Sequence, residues 1–305
     1  MFQSHFGEFA ALLTAVFWTI TAMVFEVAGK RVGAMTVNIV RLFIAFFIYT
    51  VYLYFTRGLA FPTDASGETW FWLILSGLVG FVIGDQFLFR AFVIVGARIS
   101  MLVMAFVPPI TALLGWVILG ETLTLLNVLG MILTISGVSL VVLKREANNG
   151  KIQRRRKLKF SYPVFGILLA FGGAVGQSIG LVLSKFGMKD YNAFAASQIR
   201  VLAGLIGFAI LFSIRGNWNV VFKGLKDRKG MVNLSVGSVF GPFLGVSFSL
   251  LAVQYTTTGI ASTIMAIIPI LIIPPAVIFF KEKINAKEVI GAMIAVAGVI
   301  MFFLE

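Results

Sequence analysis

GARISMLVMAFVPPITALLGWVILGETLTLLNVLGMILTISGVSLVVLK, residues 96–144, returns later in the chain as TTGIASTIMAIIPILIIPPAVIFFKEKINAKEVIGAMIAVAGVIMFFL, residues 257–304. Aligned on the prolines, the landmarks keep one spacing without a gap. Pro108 pairs with Pro269, Glu121 with Glu282, Gly130 with Gly291 and Gly137 with Gly298, each 161 positions apart. Upstream, the same offset joins Gly80 to Gly241, Gly84 to Gly245 and Ala91 to Ala252. Further back it becomes 159, joining Lys30 to Lys189 and Arg41 to Arg200, so one connection differs by two residues. A period this long identifies a duplicated unit of half the chain, and it organises every later step.

Composition sets the class. Of 305 residues, 59% are hydrophobic and 12% charged, with a mean hydropathy of +1.01. A water-soluble fold has too few charges here to cover its apolar surface, so the chain is read as an integral membrane protein. Without cysteine, neither a disulfide framework nor a thiolate metal site is available. The single histidine, His5, is near the N-terminus, which removes the commonest general base and metal ligand. We expect no metal, no cofactor and no enzymatic activity.

The net charge of +13 does not point to nucleic acid, because of where it sits. The run Lys151, Arg154, Arg155, Arg156, Lys157 and Lys159 lies between apolar spans and lacks interleaved aromatic rings for base stacking. Its simplest role is to lie against anionic headgroups and set orientation.

Apolar runs fall at about 9–29, 34–56, 70–92, 97–119 and 123–143, then 163–187, 193–214, 232–254, 259–280 and 286–304. About 20 residues at ~1.5 Å each cross ~30 Å of hydrocarbon, so each run predicts one transmembrane helix. The first is too long for a signal-peptide core and has no basic leader or cleavage site, which predicts a retained helix. The expected fold is all-α, ten transmembrane helices in two five-helix repeats, 1–143 and 163–305, joined by the basic linker 144–162. Because five is odd, the second repeat enters from the opposite side. Inverted repeats of this kind place a solute site near the bilayer midplane, between the halves.

Twenty of the 25 Lys and Arg fall in the connections between runs 1 and 2, 3 and 4, 5 and 6, 7 and 8, and 9 and 10. The opposite side holds Arg57, Lys185 and Lys189. The positive-inside rule makes the basic side cytoplasmic and places both termini outside a cell membrane.

Candidate functional residues follow from helical spacing and from the symmetry. Gly172, Gly176 and Gly180 share one face of the sixth run; they serve close packing or a sliding surface. Pro108 and Pro109 interrupt the fourth run, and Pro269, Pro274 and Pro275 the ninth, predicting symmetric kinks that act as hinges, line a cavity or are static. Glu121, Glu282, Arg41 and Arg200 occur in both halves and read as architectural; the glutamates suit the N-termini of the helices that follow them.

Asymmetry points to chemistry instead, since a solute is not symmetric. Asp85 corresponds to Val246, Arg90 to Leu251, Glu26 to Lys185 and Trp18 to Gln177. Asp85 and Arg41 lie at a similar depth, ~10 Å from the basic side, so Asp85 is read either as an ion-pair partner of Arg41 or as a proton-coupling or solute-facing carboxylate. Glu26 and Arg90 are nearer that side and can snorkel. Trp18, Gln177, Ser178, Gln254 and Tyr255 complete the solute-binding candidates, with ordinary packing as the alternative for each.

The doubled pattern, P-x11-GE-x8-G-x6-G in the first half and P-x12-E-x8-G-x6-G in the second, with Lys-x10-Arg spanning runs 1–2 and 6–7, resembles the EamA family of the drug/metabolite transporter superfamily. The resemblance covers nearly the whole chain. It implies a secondary carrier of small organic solutes, often an exporter of amino acids or related metabolites, with a central cavity lined by both halves and no cofactor. Members of that family look as if their termini are cytoplasmic, the reverse of the charge-based orientation here. Alternating-access transport, with protons as a possible coupling ion, is the leading expectation. A multidrug exporter is a variant of it, and a non-transporting scaffold or lipid-handling protein is a different class. No P-loop supports direct use of ATP.

Overall fold

Gly33 divides the first two helices with a single residue, at φ 83°, a conformation that a residue with a Cβ rarely adopts. Reversals of this economy recur along the chain. The computed structural model describes residues 5–142, 163–216, 218–275 and 286–301, and every element among the described residues is helical. In chain order these are α1 (Phe6–Val32), α2 (Ala34–Arg57), α3 (Gly67–Ala97), α4 (Met104–Leu119), α5 (Leu125–Val142), α6 (Val164–Met188), α7 (Ala193–Arg215), α8 (Arg228–Tyr255), α9 (Thr258–Pro275) and α10 (Ala286–Met301). A further short helix, Trp218–Leu225, precedes α8.

Among the described residues, seven helices are long and apolar enough to cross a membrane: α1, α2, α3, α6, α7, α8 and α9. Of the ten expected crossings, the other three, α4, α5 and α10, carry shorter apolar stretches. Gly96, at φ 83°, breaks the chain after α3; a helical stretch to Val103 then leads into α4, whose first turn, Met104–Phe106, is 3-10. Helices α5 and α10 end where the description ends. The basic linker 144–162 and Glu282 lie outside the described residues.

Polar caps start several helices. Ser66, Asn192, Asp227 and Thr257 each accept a hydrogen bond from a backbone N–H three residues on, satisfying a donor that the first turn leaves free. Asp227 also receives a two-pronged contact from Arg31, at 2.9 and 3.0 Å, tying α8 to the end of α1. The Arg31 guanidinium and the Gly230 N–H hold the Asp227 carboxyl below the usual carboxylate range.

The prolines interrupt α4 and α9 at equivalent places. Pro108 cannot supply the N–H that Met104 would receive, and Val107 donates to the Met104 carbonyl instead, in a 3-10 bond. In α9 the helix stops at Met265 and resumes at Ile268, with Pro269 in its first turn. A second pair of irregularities was not visible in the sequence: π-helical turns at Leu78–Asp85 in α3 and Val239–Gly245 in α8. Such turns widen a helix locally and concentrate at functional sites.

Small residues set the packing, as they must where lipid removes the hydrophobic drive for helix association. A Cβ on Gly176 would lie 2.7 Å from Gly84 Cα, and one on Gly180 would lie 3.0 Å from Gly80 Cα, so α6 and α3 meet backbone to backbone. The equivalent glycines of α8 meet α1: a Cβ on Gly245 would be 2.5 Å from the Trp18 indole, and one on Gly241 would be 2.7 Å from Thr21. Gly137 of α5 and Gly298 of α10 pack against each other's helices in the same reciprocal way. Outside, Phe43, Phe47, Phe55, Trp116, Val117 and Ile214 are exposed, an apolar belt that a bilayer covers.

Candidate functional site

A cavity of about 110 Å³ lies between the two halves, lined by side chains of α1–α4 and α6–α9. Its walls are mainly apolar, with Trp18, Phe81, Phe89, Phe92, Met101 and Met104 among them. Kinked helices border it: the π turn of α3 delivers Asp85, that of α8 delivers Gly241 and Pro242, and the breaks of α4 and α9 present Val107 and Pro269.

Its polar centre is a connected group. Asp85, 4% exposed, accepts from Arg41 Nη2 through Oδ2 and from Gln177 Nε2 through Oδ1. One carboxylate thus joins α2, α3 and α6 and still borders the cavity. Asp85 is paired with Arg41 and is also part of the cavity lining. The Arg41 guanidinium also lies over the Phe89 ring at 4.6 Å and the Phe81 ring at 5.6 Å, where the aromatic faces offset part of its desolvation. Arg200 reaches the cavity from α7, 5.0 Å from the Phe81 centroid, and is 3% exposed.

A supporting layer surrounds this group. Asn38 of α2 donates to Gln86 of α3 at 3.0 Å, one residue along from Asp85. The Tyr49 hydroxyl lies 2.8 and 2.9 Å from the carbonyls of Pro242 and Phe243, inside the π turn of α8, and 2.7 Å from Ser247 Oγ. Tyr49 is fully buried, so it fixes the turn from within.

The remaining sequence candidates separate. Trp18 and Gln177, equivalent by the repeat, both line the cavity. Ser178 is buried outside the lining, donating to Ala174 O at 2.8 Å in its own helix and lying 3.4 Å from the Val107 carbonyl of α4. Gln254 sits at the end of α8, where it donates to the carbonyls of Lys189 and Tyr191 at 3.1 and 3.2 Å. Tyr255 is 63% exposed and stacks edge-on with Phe6. These three do not line the cavity. Arg90 is half-buried and outside the lining. Glu26 pairs with Lys30 and accepts from the Ala97 N–H at 3.2 Å, capping the chain as it turns at Gly96. Of the prolines, Pro269 lines the cavity; Pro108 is buried beside Val107, and Pro109 and Pro274 point outward. Pro275 is half-buried.

Glu121 serves a different helix from the one its sequence position suggested. Rather than α5, it caps α9: Oε2 accepts from the Thr258 N–H at 2.9 Å and its hydroxyl at 2.6 Å, while Lys185 approaches Oε1 at 2.7 Å. Lys185 also donates to the Thr256 carbonyl at 2.7 Å, and Thr256 Oγ1 donates to Glu8 at 2.8 Å. The ends of α4 and α6 and the starts of α1 and α9 are thereby tied together on one side of the bundle.

No cluster of His, Cys, Asp or Glu able to hold a metal ion occurs among the described residues.

Comparison with known proteins gives a consistent assignment. The sequence profile of the EamA-like transporter family matches twice, at residues 5–143 and 164–304. An uncharacterized transporter of Clostridium kluyveri is 26% identical over 187 residues, 61% of this chain and 57% of that protein. The uncharacterized transporter YvbV of Bacillus subtilis is 25% identical over 203 residues, 65% of this chain and 60% of its own length. Human solute carrier family 35 member G1 is 25% identical over 191 residues, 63% of this chain and 51% of that protein. The chain thus aligns with between half and three-fifths of the length of these curated relatives. One crystal structure superposes with a TM-score of 0.64 over 96% of both chains at 16% identity, a likeness of fold alone.

Proposed function

The chain belongs to the EamA-like transporter family, and from that premise we propose that it is a secondary transporter carrying a small organic solute by alternating access at the cavity between its halves. It is a multi-pass membrane protein, related to proteins named as transporters rather than as enzymes. The observation that carries the proposal is the cavity itself, because both halves line it and an Asp85–Arg41–Gln177 group stands in its wall. A buried charged group beside a space is costly to keep unless a polar species uses it, which argues against a scaffold or a carrier of purely apolar lipid.

In this reading the two repeats, 1–143 and 163–305, are inverted and comprise ten crossings. The tie between the start of α1 and the end of α6 supports it, since equivalent helices then run in opposite directions. The halves rock about the cavity, and α4 and α9 flex at their proline breaks. Asp85 takes up and releases the coupling proton, and metabolite export is the working direction.

Uptake by proteoliposomes of the purified protein tests this. A panel of amino acids, organic acids, sugars, nucleosides and cationic drugs is offered with and without an imposed pH gradient. Movement of one solute class, accelerated by the gradient, is expected; an inert panel in vesicles of verified tightness would remove the transport reading.

The charge bias further proposes that the basic side is cytoplasmic and both termini are outside. The chain has no native cysteine, so Asn149→Cys gives a single reporter. We expect an impermeant maleimide to label it only after the cells are opened, and labelling of intact cells would reverse the assignment.

A further inference from the structure

Among the described residues, two guanidiniums and one carboxylate are the charged side chains lining the cavity, one positive charge in excess. The repeat explains which charge is unmatched. Arg41 and Arg200 are equivalent, 159 positions apart, and Asp85 and Val246 are equivalent, 161 apart. In the first half Arg41 therefore has Asp85 as its partner, whereas the same register in the second half offers Arg200 only Val246, which also lines the cavity.

The side-chain geometry agrees. Arg200 is 3% exposed and donates no hydrogen bond to any described residue; its Nε is buried with no acceptor, as is that of Arg41, but Arg41 also has Nη2 on Asp85. Its guanidinium lies 5.0 Å from the centre of the Phe81 ring, which it shares with Arg41, and it feels the Asp85 charge without a hydrogen bond to it. A buried guanidinium with unfilled donors is expensive, and a fold that retains one beside a cavity has left a place for an anion. Guanidinium donors are arranged as a fork that suits carboxylate oxygens.

We propose that Arg200 is the anion-binding residue of this cavity and that the transported solute is a carboxylate with an apolar body. The carboxylate occupies, relative to Arg200, the place that Asp85 occupies relative to Arg41. The body packs on Trp18, Phe89, Phe92 and Met104, so small hydrophilic acids bind more weakly than aryl or alkyl ones. Cationic and zwitterionic solutes are disfavoured, because an ammonium group would meet the excess positive charge in a dry site. This inference rests on the transport reading for the word solute, but binding alone tests the site.

The experiment is thermal denaturation of the protein purified in a neutral detergent, with phenylacetate as the probe and phenylacetamide, 2-phenylethylamine and acetate as matched controls. Phenylacetate should raise Tm in a saturable way, and the amide and the amine should not at the same concentrations. Arg200→Gln should weaken the apparent affinity about tenfold or more, the scale of a charged hydrogen bond lost, and Arg200→Lys should restore part of it. Equal stabilisation by the amide or the amine, no stabilisation by phenylacetate, or unchanged affinity in Arg200→Gln would each overturn the proposal. The selectivity of the unmodified protein decides the matter even if Arg200→Gln does not fold. Phosphatidylglycerol is offered in a parallel arm: Arg200-dependent stabilisation by this lipid but not by phenylacetate would assign the site to a headgroup and overturn the solute reading. Phenylacetate that binds through Arg200 but does not cross proteoliposomes leaves the anion site intact and counts against transport instead.

Discussion

Asp85→Asn is expected to abolish acceleration of transport by a pH gradient and to lower the stability of the folded protein, two losses with different physical origins. Asparagine keeps the size of the side chain and can still meet Gln177, but it carries no charge and takes up no proton. Arg41 then has no counter-ion, and with Arg200 also lining the cavity, two buried positive charges share the neighbourhood of the Phe81 ring. Breaking a buried ion pair by removing one partner costs about 3–5 kcal/mol, because the surviving charge stays desolvated. Arg41→Gln in the same background removes the orphaned charge, so the double variant should recover part of the stability. A double-mutant cycle on Tm and expression should return a favourable coupling of about 1 kcal/mol or more. Strict additivity would show that the pair contributes nothing jointly. Transport separates the roles: a stable Asp85→Asn/Arg41→Gln variant should still lack gradient dependence. If Asp85→Asn moved solute with an intact response to pH, Asp85 would be a structural counter-ion and the coupling proton would reside elsewhere.

Much of this arrangement could be read from the chain, and the parts that could not have identifiable causes. Helical class and membrane character follow from composition and run length, which depend on no tertiary contact. The repeat is legible because Pro108 and Pro269 are needed at the same breaks in both halves. Asp85 stood out because an ionisable residue in an apolar run requires a partner, and Arg41 was identifiable as that partner from depth alone.

The π turns of α3 and α8 were not legible, since no residue pattern distinguishes a bond to the fifth residue from one to the fourth. Gln254 and Tyr255 are at the end of α8 and not at the cavity, in keeping with the expected end of the eighth run at residue 254. Arg200 was undervalued for a different reason. Its symmetry with Arg41 suggests a shared architectural duty, and the difference between the two is the Asp85 hydrogen bond that Arg41 alone makes. Glu121 was assigned to the nearest helix in sequence, whereas the N-terminus it caps is that of α9, brought close by folding.

Gly176→Leu is expected to prevent assembly of the bundle, and Gly176→Ala to separate stability from function. A Cβ at Gly176 would stand 2.7 Å from Gly84 Cα, 3.0 Å from Gly84 N and 3.3 Å from Val79 O. All three are backbone atoms, so no side chain can swing aside, and α6 and α3 must move apart. Overpacking a well-fitted contact by one methyl costs about 1–3 kcal/mol, and a leucine far exceeds what this contact can absorb. The next residues along the two helices are Gln177 and Asp85, whose hydrogen bond spans the same contact. A separation of even about 1 Å takes that bond beyond the range in which it has strength. Gly176→Ala should therefore remain folded with a lowered Tm while losing transport out of proportion to its stability. Gly67→Ala is the control, because a Cβ there meets nothing within 4 Å. Size-exclusion chromatography and thermal denaturation report the fold, and proteoliposome uptake reports the site. A monodisperse Gly176→Leu protein with the Tm of the unmodified chain would show that α3 and α6 do not meet through these glycines, and the geometry that joins Gln177 to Asp85 would then have to be held by something else.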